Sequence, residues 1–186
     1  MLNEIHPDPL HVAEEVTRTV SQVPEREVEA LGRAILGAQR VFVCGAGRSL
    51  LMMKAFAMRL MHLGISAYVV GETITPSIGP GDLLIAGSGS GATRTTLAMM
   101  EAGRSRGAKT ACLTAHPDSP IGKVSDLIVE IPARIVGIPG QTVSTQPPSS
   151  LFEQCLLIMG DSLILWLMEK LGTTYDQIRA RHTKLE

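Results

Sequence analysis

The sequence predicts an α/β protein: a three-layer α/β/α sandwich on a five-stranded parallel sheet, with helices in front of it. Three observations lead there. Five short apolar runs alternate with stretches of helical periodicity. The runs are apolar throughout rather than at every second residue, the mark of strands covered on both faces. Two of them leave through polar glycine turns, "GAGRS" (Gly45–Ser49) and "GSGSGAT" (Gly87–Thr93). In a doubly wound sheet, ligands sit beyond the carboxyl ends of strands, where such turns lie.

Each element has a local reason. Asp8 and Pro9 read as an N-cap and first helical residue of a helix to about Val20. Pro24 opens a second helix, with Val28, Leu31, Ile35 and Leu36 on one face. "RVFVC" is the first strand, followed by a helix from about Leu50 to Leu63, stopped by Gly64. Ser66–Val70 is the second strand. A loop, "GETITPSIGPGD", leads to the third, Leu83–Ala86, and a helix that ends near Gly107. "KTACLTA" and "DLIVEIP" are further strands, with a helical turn "PIGKVS" between them. Residues 133–149 read as irregular, with prolines at 139, 147 and 148. A long helix, roughly Leu151–Leu171, stops at Gly172, and Thr174 with Gln177 forms a capping box for a last short helix.

Composition narrows the function. A chain of 186 residues makes about one domain, so 1–186 is read as a single unit in which helices of residues 1–39 pack on the sheet. Its 17 basic and 18 acidic residues leave a net charge of −1, which gives no electrostatic reason to expect nucleic acid or an anionic membrane as partner. Cys44, Cys112 and Cys155 are odd in number and widely spaced, as buried thiols of a reducing compartment would be. No signal peptide is read at the N-terminus, and the apolar stretch Cys155–Met168, interrupted by Asp161, is too short to span a bilayer. A cytoplasmic protein is expected. The apolar helices 50–63 and 151–171 need a further surface to cover their outer stripes, which points to a homo-oligomer, a tetramer by expectation.

The glycine turns fit an anion. Gly47 and Gly89 let backbone N–H groups approach an oxyanion, Ser49, Ser88, Ser90 and Thr93 supply hydroxyls, and the following helices aim their positive ends at the same place. A plain strand-to-helix turn with a Ser or Thr cap is the alternative for either turn alone; two on one sheet edge favour the cradle. Neither is a nucleotide motif. Leu50 stands where the dinucleotide fingerprint needs glycine, and no Lys-Ser/Thr follows the second turn. No cofactor is therefore expected. The histidines at 6, 11, 62, 116 and 182 show no metal-ligand spacing, so no metal is expected. Arg48 is either a contact to a bound anion or a solvated residue at a helix start. Glu153 opens an apolar helix after a Pro/Ser turn, a setting that suits a general base or an acid complementing the helix dipole. Glu72, at the carboxyl edge after the second strand, and His62, near a helix C-terminus, are secondary candidates.

Together, "VFVCGAGRS", "FAMRLMHLG", "YVVGETITPSIGPGDLL", "GSGSGAT", "PDSPIGKVSD", "SLFEQ" and the closing "RHTKLE" resemble, in this order, the 6-phospho-3-hexuloisomerases of the SIS (sugar isomerase) fold. The resemblance runs from about Val41 to Glu186. It implies a flavodoxin-like doubly wound sheet and an enzyme that interconverts 3-hexulose 6-phosphate and fructose 6-phosphate in the ribulose monophosphate route of formaldehyde fixation. It implies that Ser49, Ser88, Ser90 and Thr93 hold the phosphate and that Glu153 is the catalytic base. His182 would assist ring opening or proton shuttling, in a neighbouring subunit's site. The chain departs from the family pattern in having Leu50 and Ser149 where glycine is usual, and Ala92 where Glu or Thr is common. Two alternatives stand beside this reading. One is another isomerase of the same fold, acting on arabinose 5-phosphate or a heptose phosphate. The other is a non-catalytic sugar-phosphate sensor, against which the acidic surplus of the first 40 residues argues.

Overall fold

The structure is a computed structural model and describes residues 8–133 and 144–184. Its centre is a five-stranded, wholly parallel sheet in the order β2-β1-β3-β4-β5. The strands are β1 (Val41–Gly45), β2 (Ala67–Val69), β3 (Leu83–Gly87), β4 (Lys109–Thr114) and β5 (Leu127–Glu130). Around them lie α1 (Pro9–Val20), α2 (Glu25–Gly37), α3 (Gly47–His62), α4 (Arg94–Ser105), α5 (Pro120–Lys123), α6 (Ser150–Leu171) and α7 (Tyr175–Arg181). The expected order of elements is found throughout. The expected irregular stretch 133–149 falls mostly outside the described residues, as do His6 and the last two residues of "RHTKLE".

Alternation along each strand assigns the faces. Val41, Val43, Leu83, Ile85, Ala111 and Leu113 point to one side, where Leu31 of α2, Phe56 of α3 and Phe152 of α6 complete a large aliphatic core. Phe42, Cys44, Leu84, Ala86 and Cys112 point to the other, against Met100 of α4 and Ile121 of α5. Both faces of β1, β3 and β4 are thus buried, which is why their sequences read as unbroken apolar runs. Burial pushes the thiols of Cys44 and Cys155 up to about 12 and that of Cys112 to about 11, so all three remain protonated, packed groups.

One boundary and one length differ from expectation. Helix α3 begins at Gly47 rather than near Leu50, so Arg48 and Ser49 sit in its first turn; the N–H groups of a first turn need no intrahelical partner, and the glycine turn could merge into the helix. Helix α6, at 22 residues and a mean hydropathy of 1.6, exceeds the 155–168 stretch and is long and apolar enough to cross a membrane by those measures alone. It packs instead as a core helix against α3, α1 and α2, with Phe152, Cys155, Leu156, Leu163 and Leu167 buried.

The long loop before β3 is pinned by Asp82. Its buried carboxylate takes two bonds from Arg40, 2.9 Å from Nε and 2.7 Å from Nη2, and a third from the Gly79 N–H at 2.8 Å. The arginine bonds, outweighing burial, hold the carboxyl below the usual carboxylate range.

Candidate active site

Strand order 2-1-3-4-5 places the switch in winding direction between β1 and β3, where a doubly wound sheet opens a crevice at its carboxyl edge. Gly45 and Gly87 end these two strands and face each other in register. The two glycine turns leave from this point, and between them lies a pocket of about 290 Å³. Gly47, Arg48 and Ser49 line it from the first turn, and Ser88, Gly89, Ser90 and Thr93 from the second; Ser149 and Glu153 close it from α6.

Three helices point their N-termini here, and none is capped by a side chain: α3 begins after Ala46, α4 after Thr93 and α6 after Ser149. Asp8, Ser119 and Thr174 cap α1, α5 and α7 through their side chains, and α2, away from the pocket, follows Pro24 with no side-chain cap. A helix start of this kind presents N–H groups without intrahelical partners and about half a positive charge; at α6 the Ser150 N–H is taken up by the Pro147 carbonyl and Glu153 stands in the first turn. Helix starts of this kind suit an anion, and no lysine among the described residues lines the pocket. Ser88 Oγ lies 3.4 Å from Thr93 Oγ1, and Ser90 Oγ accepts from the Ala92 N–H at 3.3 Å, which sets these hydroxyls along the rim of the second turn. Gly91 makes that turn possible. Its φ is +60°, and a Cβ there would collide with the Ser119 hydroxyl.

Glu153 stands on the opposite wall, only 7 % exposed. Its Oε2 accepts from Arg48 Nη1 at 2.8 Å, and Ser49 Oγ approaches Oε1 at 3.4 Å. Arg48 is half exposed, so its remaining N–H groups are open to a ligand in the pocket. The corner before Glu153 is strained: Ser149 has φ +71°, the single positive φ among the described non-glycine residues. The left-handed conformation costs a residue with a Cβ about 1–2 kcal/mol, which gives the usual glycine at this position its physical reason.

The structure thus brings together Gly47, Arg48, Ser49, Ser88, Gly89, Ser90, Thr93 and Glu153. It does not bring the other candidates to them. Glu72 is half exposed and paired with Lys54 Nζ at 2.6 Å, and it does not line the pocket. His62 and His182 stack on each other, ring centroids 5.2 Å apart, at the C-terminal end of α3. His62 lies thirteen residues along α3 from Ser49, which lines the pocket, about 20 Å at 1.5 Å per residue. Arg181 Nη1 fastens α7 there by donating to the His62 carbonyl at 3.1 Å.

His62 is 2 % exposed, and its Nδ1 has no hydrogen-bond partner. Burial, then the neighbouring His182 and Arg59, push its pKa below the ordinary value. Folding therefore favours the neutral ring. The resulting stability is complete above the unfolded pKa of about 6.5 and is lost as pH falls below it. The melting temperature of the wild type should fall between pH 7 and 5 more steeply than that of His62→Gln, measured by scanning calorimetry. Parallel profiles for the two proteins would show that this ring is not the titrating group.

A pocket with a buried carboxylate facing the starts of α3 and α4 thus lies at the switch point of a 2-1-3-4-5 sheet, and the SIS domain family matches residues 34–158. The curated 3-hexulose-6-phosphate isomerase of Bacillus subtilis (strain 168) is 41 % identical, covering 100 % of this chain and 95 % of that protein. The enzyme of that name from Mycobacterium gastri is 39 % identical, over 94 % of this chain and 88 % of the relative. A crystal structure from Methanococcus jannaschii, for which a 3-hexulose-6-phosphate isomerase function was inferred, superposes with a TM-score of 0.82 at 29 % identity, covering 94 % of this chain and 97 % of that one. The chain belongs to the 3-hexulose-6-phosphate isomerase family.

Proposed function

We propose that this protein interconverts 3-hexulose 6-phosphate and fructose 6-phosphate through an enediol, as a cytoplasmic enzyme of formaldehyde fixation. The observation that carries the reading is the pairing of an anion cradle with one buried carboxylate across a single pocket. The phosphate docks on the N-termini of α3 and α4, with the hydroxyls of Ser49, Ser88, Ser90 and Thr93 as donors. The sugar chain then extends toward Glu153. The carboxylate takes the C2 proton of the 3-ketose while the C3 oxygen becomes an enediolate, which Arg48 stabilises. Glu153 returns the proton to C3 as the C2 hydroxyl loses its own to the C3 oxygen. The net change moves one hydrogen from C2 to C3 and the carbonyl the opposite way, with no external oxidant. Conversion of 3-hexulose 6-phosphate, made in situ from ribulose 5-phosphate and formaldehyde, to fructose 6-phosphate tests the reading; no product from folded protein would overturn it.

Ser88→Ala and Ser90→Ala should each weaken binding of substrate and inorganic phosphate by about 1–3 kcal/mol, the worth of a charge-assisted hydrogen bond. Isothermal titration with phosphate checks this. Unchanged affinity in both variants would move the phosphate elsewhere.

The reading extends to the whole chain acting as one SIS unit, assembled as a homotetramer with shared sites. Two features support it. Leu51, Met58 and Met61 of α3, and Ile158 and Leu165 of α6, form exposed apolar stripes on two adjacent helices. His182 lies a helix length from its own pocket, so any catalytic part it takes is in the pocket of another subunit.

A further inference from the structure

We propose that Glu15, on the N-terminal helix α1, is a positioning residue that sets the corner carrying the catalytic carboxylate Glu153. The proposal rests on the isomerase reading above and adds a residue outside the matched SIS region, residues 34–158. Glu15 is buried, and its carboxylate gathers three consecutive residues from the far side of the sequence. Oε2 accepts from Ser144 Oγ at 2.7 Å and from Gln146 Nε2 at 2.8 Å. Oε1 accepts from the Thr145 N–H at 3.1 Å, with Thr145 Oγ1 at 3.4 Å. His11 Nε2, one turn back on α1, lies 3.7 Å from Oε1 and 3.0 Å from Thr145 Oγ1. A carboxylate with this many donors is a dedicated clamp, not a solvated helix face.

What it clamps leads directly to the site. Pro147 and Pro148 follow Gln146, and their rings fix φ. Ser149, in the left-handed region and lining the pocket, comes next. The Ser150 N–H then bonds the Pro147 carbonyl at 3.0 Å and the Glu153 N–H bonds the Ser149 carbonyl at 3.0 Å. Few free torsions remain between the clamp and the first turn of α6, so the position of residues 144–146 is passed on to Glu153. A strained corner persists only where its surroundings hold it, and Glu15 supplies that hold. Burial would raise the Glu15 pKa, but the bonds from Ser144, Gln146 and Thr145 and the nearby His11 bring it down to about 2. The clamp is therefore ionised throughout the neutral range.

The test uses the full chain with Glu15→Gln, nearly equal in shape but without the charge. Turnover should fall about 10- to 100-fold through misplacement of the base, while the Kd for inorganic phosphate, held by the other wall, stays within about twofold. Amide exchange at Thr145, Ser150 and Glu153 should accelerate. The pair Ser144→Ala with Gln146→Ala removes the same bonds from the loop side and leaves α1 intact, so it decides the matter if Glu15→Gln fails to fold. Combined with Glu15→Gln, it should add little further loss. Unchanged turnover despite faster exchange, or phosphate affinity falling in step with turnover, would overturn the assignment. Wild-type protein inactive on the sugar would overturn the isomerase reading alone. Exchange at Ser150 and Glu153 would then judge the clamp, faster in the variants supporting it and unchanged overturning it.

Discussion

Glu153→Gln should remove nearly all turnover and leave the fold and phosphate affinity in place. The amide is almost isosteric with the carboxylate and can still meet Arg48 through its oxygen, so the packing of Phe152 and Cys155 beside it is undisturbed. What disappears is the proton acceptor. A general base contributes about 10²- to 10⁴-fold, and here the same group both takes the proton and returns it, so the upper part of that range is expected. Steady-state kinetics with fructose 6-phosphate should show the loss in kcat, with KM little altered. A variant that retains a tenth of wild-type turnover would assign the base to another group.

The second large effect concerns His182. His182→Ala should also be severely impaired in a homotetramer with shared sites, although the residue lies a helix length from its own pocket. Mixing inactive Glu153→Gln protein with inactive His182→Ala protein, and letting subunits exchange, should restore part of the activity, because some pockets then receive Glu153 from one chain and His182 from another. The exposed apolar stripes of α3 and α6 give such an assembly surface to bury. A monomer in solution, or hybrids that remain inactive after proven exchange, would show that each chain works alone.

The sheet was legible in the sequence because each central strand is buried on both faces, and a short β-branched run such as Val41–Cys44, closed by glycine, reads as such a strand. The meeting of the two glycine turns was legible for a related reason: turns that follow two strands of a doubly wound sheet share one edge, whichever helices follow. Three features were not. The Glu15 clamp joins residues about 130 positions apart, and the second acid of "AEEVTR" on a first helix reads as solvated surface. The stacking of His62 on His182 is equally non-local, and only the docking of α7 on α3 creates it. Strain at Ser149 left one trace, the serine standing where the family usually has glycine, but residue identity carries no φ. Local patterns record which face of an element is buried; contacts between distant side chains are set by packing.

In the proposed reaction one carboxylate carries a proton between C2 and C3 of a phosphosugar held between the glycine turns. The most direct test is to incubate the enzyme with fructose 6-phosphate in deuterium oxide and follow the sugar by NMR. Deuterium should accumulate at C3 over repeated turnovers in the wild type, as the proton on Glu153 exchanges with solvent in competition with its return to carbon, and at least about a hundredfold more slowly in Glu153→Gln. Exchange that proceeds at the same rate in both proteins, or interconversion with no solvent deuterium at C3 even after many turnovers, would contradict it.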